Sequence, residues 1–321
     1  MKLQRFEEKN KNIKDAFDTL KKEHPERLKR KIDLSFCTLM FGLEDVPKSI
    51  ERLARYGYRF IEILGNYGGP HSGNQTQIKE IKAALDYYGV ECSGVCGSVQ
   101  SGFSLESKDF FAKQRAYDHL RGNLEMCSAL GGSYYLLTPG STNGLPPDPD
   151  GGDWARSARS LHEFGDLFLE YGIKCAVEPV IKTVSPIVHS FAEAKRYIED
   201  VDHPAVRHIY GDTEHMTANE EHIGQAILEA KECLLNIHLK DTHAQRPIGN
   251  GMLDVDTIIR ALYLIGFNTE GHFATGEPLP DYYDPVPGYG TLIPHSDEVL
   301  SLLARETIET FREREAAVLY G

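Results

Sequence analysis

The chain is predicted to fold as an α/β protein of the (β/α)8 TIM-barrel class, preceded by an N-terminal helical extension. Three observations lead there. Eight short, β-rich apolar runs alternate with amphipathic helical stretches from Lys31 onward, several of those stretches close on a glycine, and four successive runs end in a polar residue. At 321 residues and 41% hydrophobic content, the chain can bury a large core, and it exceeds the roughly 250 residues of one such barrel only modestly.

Residues 1–30 come first. Ile13, Phe17 and Leu20 fall on one helical face ahead of Pro25, so this segment reads as a basic amphipathic helix packed on the barrel or on a partner. Residues 31–321 then form the barrel. Its strand runs are IDLSFCTLMF, YRFIEIL, VECSGVC, SYYLLTP, IKCAVEP, VRHIYGD, LLNIHLK and EGHFATGE. Between them lie helical stretches such as VPKSIERLARYG, QIKEIKAALDYYG and ARSLHEFGDLFLEYG, whose closing glycines suit a left-handed C-cap. The competing fold is an open doubly wound sheet, which carries a glycine-rich phosphate turn after its first strand. Here the first run is followed by FGLEDVPKS, with no such turn. The loop STNGLPPDPDGGDW after the fourth run is long for a barrel, and on a catalytic face such a loop shapes or covers a pocket; the eighth run is followed by PLPDYYDPVPGYG, rich in Tyr and Pro.

The net charge of −13 is uneven. Residues 1–31 hold 11 Lys and Arg against 6 Asp and Glu, leaving 24 against 42 for the rest. A barrel this acidic is a poor nucleic-acid binder. A metal-dependent nuclease of the AP endonuclease kind would also need further ligands from the early strands. These offer Glu62 as an inward polar candidate, while His71 lies well past the second run. No apolar run approaches the ~18 residues of a membrane span, and the start MKLQRFEEKNKNIKDAF is too charged for a signal peptide, so a cytoplasmic protein with neither membrane nor nucleic-acid partner is expected. The six cysteines are scattered, mostly within apolar runs, and no disulfide framework is expected. Cys92 and Cys96 lack a second pair at zinc-site spacing and read as buried structural thiols.

In a barrel the reactive groups lie at the C-terminal ends of the strands. The fifth run ends in Glu178, the sixth in Asp212, the seventh carries His238 and the eighth ends in Glu277. The intervals of 34, 26 and 39 residues are each about one βα unit, so all four side chains can converge. Three carboxylates cannot share a small dry site without a cation, because repulsion would protonate at least one. One imidazole and three carboxylates with open positions suit a single divalent ion, Mn2+ ahead of Mg2+ or Co2+, better than a thiolate-rich structural zinc.

With these residues in place the chain resembles the xylose isomerase-like superfamily of sugar isomerases and epimerases, in particular the D-tagatose 3-epimerase-like branch. The resemblance covers most of the chain after Lys31 and rests on VEP at 177–179, GDTEHM at 211–216, HLKD at 238–241 followed by PIGNGMLD at 247–254, and GEP at 276–278. It implies that Glu178 and Glu277 bind the metal and also exchange the substrate's proton from opposite faces. A metal on the carbonyl oxygen would stabilise an enediolate while a carboxylate removes the carbon-bound proton. It also implies a substrate-contacting role for His215 and for an arginine after the seventh strand, for which Arg246 stands although its distance from His238 does not match well.

The departures concern the substrate. Where the ketohexose epimerases continue with a P-L-N segment and a second glutamate, this chain reads EPVIKTVSP. Lys182 either binds an anionic or larger substrate or is a solvated loop lysine, and Trp154 and the Tyr-rich eighth loop suit a sugar face or an aryl group. A divalent-metal-dependent sugar epimerase or isomerase is therefore the leading expectation, as a homo-oligomer. A C-glycoside deglycosidase α-subunit, a lyase that enolises a 3-oxo-sugar and pairs with a small second subunit, is the alternative.

Overall fold

The computed structural model describes residues 4–65, 74–97, 104–141, 147–242, 245–282 and 293–321. Among them eight parallel strands form a nearly closed barrel, each inside one of the eight apolar runs: β1 (Asp33–Phe36), β2 (Phe60–Leu64), β3 (Glu91–Cys96), β4 (Tyr134–Leu137), β5 (Lys174–Val177), β6 (Val206–Asp212), β7 (Leu234–Leu239) and β8 (Phe273–Gly276). The hydrogen-bonded order is β1-β8-β7-β6-β5-β4-β3-β2. Closure between β1 and β2 rests on a bridge from Cys37 to Glu62 and on the Leu64 amide donating to the Thr38 hydroxyl at 2.7 Å.

The helices are α1 (Gln4–Glu23), α2 (Val46–Arg55), α3 (Gln75–Tyr88), α4 (Phe110–Ala129), α5 (Asp153–Tyr171), α6 (Phe191–Val201), α7 (Thr213–Asn219), α8 (Ile223–Ala230), α9 (Val255–Leu264) and α10 (Asp297–Tyr320). Their ends follow from local chemistry. Asn74, Asp109, Ser190, Asp254 and Ser296 each accept a first-turn amide at the N-cap. Gly89 and Gly172 end α3 and α5 at φ 66° and 69°, a left-handed conformation in which a Cβ is disfavoured.

The main core lies between strands and helices. A second, smaller core fills the barrel, where Phe60, Phe273 and Leu235 from the strand starts close the N-terminal end. Above them the interior is polar. Ser35, Glu62, Ser93, Asn236 and Thr275 are fully or almost fully buried there.

The N-terminal extension packs on the outside of the barrel. Helix α1 lies against α8 and α9, with Ile13 and Phe17 each 1% exposed and the Phe17 ring 6.2 Å from that of Tyr263. Asn10 fastens it by donating to Asp254 at 3.0 Å and pairing with His222 at 2.6 Å. Parts of the long loop after β4 and of the Tyr-rich segment after β8, residues 142–146 and 283–292, lie outside the described residues, as does His71. No helix among the described residues is long and apolar enough to cross a membrane.

If α1 is an integral part of the core, Phe17→Ala should cost about 3 kcal/mol, as other buried aromatic truncations do, and lower the thermal midpoint of the whole chain. An unchanged midpoint would mean that α1 adds nothing to the barrel's stability.

Candidate active site

The four polar strand ends meet. Asp212 is the last residue of β6 and pairs directly with His238 of β7. Glu178 extends β5 by donating its amide to Leu137 O at 2.9 Å, and Glu277 extends β8 in the same way onto Leu239 O at 3.1 Å. All four are at most 7% exposed. Around His238 Nδ1 stand Glu277 Oε2 at 3.2 Å, Asp212 Oδ2 at 3.8 Å and Glu178 Oε1 at 3.9 Å. That nitrogen is buried and makes no well-directed hydrogen bond. A buried imidazole nitrogen facing carboxylates forms a possible metal-binding group, and its hard, oxygen-rich donor set would fit a divalent ion.

His238 is aimed from below. Its Nε2 donates to Glu62 Oε2 at 2.8 Å, and Glu62 also accepts from the hydroxyls of Tyr134, at 2.7 Å, and Tyr210. Tyr134 is held in turn by Asn236 and Ser93, and Asn236 accepts from Thr275 at 3.1 Å. The network spans the barrel, and it fixes which imidazole nitrogen faces the carboxylates.

From above, Lys240 enters the group. Its ammonium lies 2.6 Å from Glu277 Oε2 and 2.9 Å from Asp212 Oδ2, and only 5% of the residue is exposed. Burial and the neighbouring Asp212 push Glu178 up to about 8. Burial also works against charge on Glu277 and Asp212, yet His238 and Lys240 outweigh it and hold Glu277 below the ordinary carboxylate range, and Lys240 leads the groups that hold Asp212 down. Burial likewise opposes charge on His238, and the Glu277 and Glu62 carboxylates reverse that and raise it well above its usual value. Both shifts favour the protonated forms of Glu178 and His238.

The supporting loops are tied to the same residues. Asp212 Oδ1 caps α7 by accepting from Glu214 N at 2.8 Å and His215 N at 3.1 Å, while Oδ2 faces the site. Asp241, fully buried, accepts from the amides of Thr242, Gly249, Met252 and Leu253 at 2.8–3.1 Å and so folds the loop after β7. A Cβ on Gly251 would lie 2.3 Å from Asp241 Oδ1, which explains the glycine in PIGNGMLD.

The four remaining candidates are distributed unevenly. His215 stands in α7 beside Asp212 and Glu214, with ligand atoms within 4.8 Å of one another, and burial keeps its ring neutral. Arg246 is half-buried on the β7–α9 loop, paired through the main chain with Asp241 and donating to Asn250 O at 3.2 Å. Lys182 is exposed on the turn after β5. Trp154 is not brought to the group: it sits in the first turn of α5 facing α6, with Nε1 on Asp200 at 2.7 Å and its ring against Tyr197 and Arg196. Two further residues belong to the site. Lys240 shares the inward side of β7 with His238 through the strand's period of two, a signal present in HLKD, and Glu62 underlies the imidazole.

The family described as xylose isomerase-like TIM barrel matches residues 50–280. Over 245 residues the chain is 26% identical to 3-dehydro-D-guloside 4-epimerase of Escherichia coli, covering 71% of this chain and 91% of that one. It is 26% identical over 228 residues to D-psicose 3-epimerase of Ruminiclostridium cellulolyticum, covering 70% and 76%. Among solved structures, D-allulose 3-epimerase from Methylomonas sp. in complex with D-allulose superposes at a TM-score of 0.75 and 20% identity over 89% of this chain and 98% of that one. The 3-keto-D-glucoside 4-epimerase of E. coli does so at 0.66 and 20% identity over 88% and 100%. The sequence relatives are sugar epimerases; the structural likeness is one of fold.

Replacing Glu62 by Leu orphans three buried donors and should destabilise the metal-free protein by about 3 kcal/mol or more. Glu62→Gln, which keeps an acceptor, should cost clearly less. Equal losses in thermal denaturation would show that acceptance from His238 and the tyrosines is not what Glu62 contributes.

Proposed function

Because the chain belongs to the xylose isomerase-like TIM barrel family, we propose that it is a sugar epimerase that exchanges the proton on a carbon beside a carbonyl, using one divalent metal ion held by Glu178, Asp212, His238 and Glu277. The observation that carries this reading is the set of three carboxylates around the undirected Nδ1 of His238. What Mn2+, or Mg2+ or Co2+, would supply there is polarisation of the carbonyl and stabilisation of charge developing on its oxygen.

The protein's own groups handle the proton. Glu277 is kept ionised by His238 and Lys240 and is suited to take a proton, whereas Glu178 is suited to hold one. They enter from β8 and β5, with β6 and β7 between them, so each addresses a different side of a sugar carbon, as inversion of configuration requires. Lys240 and His215 stand close enough to orient substrate oxygens beside them. The sequence relatives named above are epimerases of 3-dehydro-D-guloside and of D-psicose, and both reactions can begin at a carbon next to a carbonyl. The EPVIKTVSP segment departs from the ketohexose pattern, which makes a 3-oxo-glycoside the substrate class to try first. We place the enzyme in the cytoplasm and expect it to act as a homo-oligomer.

The deciding experiment incubates the metal-supplemented protein with 3-oxo-glucosides, inososes and ketoses in D2O and reads the sugars by proton NMR after chelation. Deuterium beside the carbonyl together with recovered epimer is expected. Release of a free aglycone would instead mean elimination, the lyase reaction, and would call for a small second subunit; absence of exchange with every sugar would overturn the epimerase reading. Glu178→Gln and Glu277→Gln should each slow exchange by about 10²-fold or more while the fold persists. An active Glu277→Gln protein would refute the two-carboxylate mechanism.

Metal uptake should also release protons. His238 is held well above its usual value by Glu277 and Glu62, and its Nδ1 must shed a proton to coordinate, so binding at pH 7 should expel at least one proton and affinity should climb with pH through neutrality. Calorimetry of Mn2+ binding in buffers of different ionisation enthalpy measures this. A pH-independent affinity would contradict the protonated resting state.

A further inference from the structure

The geometry points to a second, soft-donor metal site that shares two residues with the first. Cys37 follows β1 directly and Cys96 ends β3; both are buried and neither is in a disulfide. Their Sγ atoms, one imidazole nitrogen of His238 and one carboxylate oxygen of Glu277 all lie within 4.8 Å of one another. A tetrahedral ion with ligands at roughly 2.0–2.3 Å holds its donors roughly 3.3–3.8 Å apart, so closing this group around an ion takes side-chain movements of about 1 Å.

Position and chemistry both set these thiols apart. Among the described residues, Cys37 and Cys96 are the two cysteines of the barrel's inner core, whereas Cys92, Cys127 and Cys175 pack in the outer one. Cys92 and Cys127 lie on either side of Gly132, and the partner of Cys96 in space is Cys37, 59 residues earlier in sequence. Two thiolates, an imidazole and a carboxylate form a donor set for Zn2+ or Cd2+, whereas Mn2+ and Mg2+ prefer the oxygen-rich set of Glu178, Asp212, His238 and Glu277. Since His238 and Glu277 belong to both, one ion excludes the other. A thiophilic ion is therefore captured on the β1–β3 side of the barrel mouth, by a group that takes its sulfur donors in place of Glu178 and Asp212, and keeps a hard ion from binding. Each sulfur–metal bond forms as its thiol proton leaves to solvent, with no change of oxidation state.

The test uses the full, metal-free chain and Cd2+ alone, with no sugar, so its outcome is independent of the epimerase reading. A thiolate-to-Cd2+ charge-transfer band should grow in the ultraviolet and saturate at one ion per chain. Cys37→Ala and Cys96→Ala should each remove most of the band, and Glu178→Gln and Asp212→Asn, outside the soft set, should retain it. Pre-bound Cd2+ should leave added Mn2+ with the electron paramagnetic resonance spectrum of the free ion. If the cysteine variants do not fold, Co2+ added to the unaltered chain decides, through the presence of a thiolate-to-Co2+ band. Absence of any such band, a band unchanged in both cysteine variants, or simultaneous binding of Cd2+ and Mn2+ would overturn the proposal.

Discussion

The site depends on a buried carboxylate at the centre of the barrel. Glu62 is wholly inaccessible, and an isolated charge in such a place would cost several kcal/mol. It is tolerable because three donors converge on it, His238 and the hydroxyls of Tyr134 and Tyr210, which come from β7, β4 and β6. The barrel has to close for these groups to meet, and once they have met the imidazole has only one orientation. Its Nδ1 then faces the ends of β5, β6 and β8. Stability of the interior and direction of the reactive side chain thus follow from the same hydrogen bonds.

One layer higher the electrostatics reverse. Glu178, Asp212 and Glu277 would repel one another if all were ionised, and two cations already limit that repulsion, the imidazolium of His238 and the ammonium of Lys240. The remaining strain falls on Glu178, farthest from Lys240 in the network, whose carboxyl keeps its proton. The Lys240 contacts of Asp212 and Glu277 are therefore the ones that a divalent ion held there would displace or share. A preorganised cage of this kind loses little flexibility on binding, which favours affinity.

Much of this was legible in the sequence. The eight strands fall within the eight apolar runs because strands buried on both faces read as continuous hydrophobic segments, and Glu178, Asp212, His238 and Glu277 stood out as polar residues terminating such segments. Trp154 was misleading: an aromatic in the first turn of a helix after a Gly- and Asp-rich loop looks like a pocket rim, but it is turned onto Tyr197 of α6. Lys240 was visible in HLKD, and only strand alternation with His238 marks it as inward. The role of Glu62 could be suspected from its place in FIEIL, but its partner lies 176 residues away, and no local pattern encodes a contact made by barrel closure. The pairing of Cys37 with Cys96 has the same origin, which is why sequence spacing drew attention to Cys92 instead.

Two aspartates show how the catalytic face is kept rigid without extra residues. Asp212 divides its oxygens, one capping α7 and the other facing His238, so a shift of the helix would move the carboxylate with it. Asp241, three residues after His238, spends both oxygens on four loop amides and folds the segment that carries Arg246 back against the strand that carries the imidazole. Proton transfer to carbon is sensitive to displacements of about 1 Å, and flexible loops would not hold groups to that tolerance. Tying each loop to a residue at or beside the site makes the barrel itself the reference frame, so that the rigidity of β6 and β7 is transmitted to the side chains that surround a substrate.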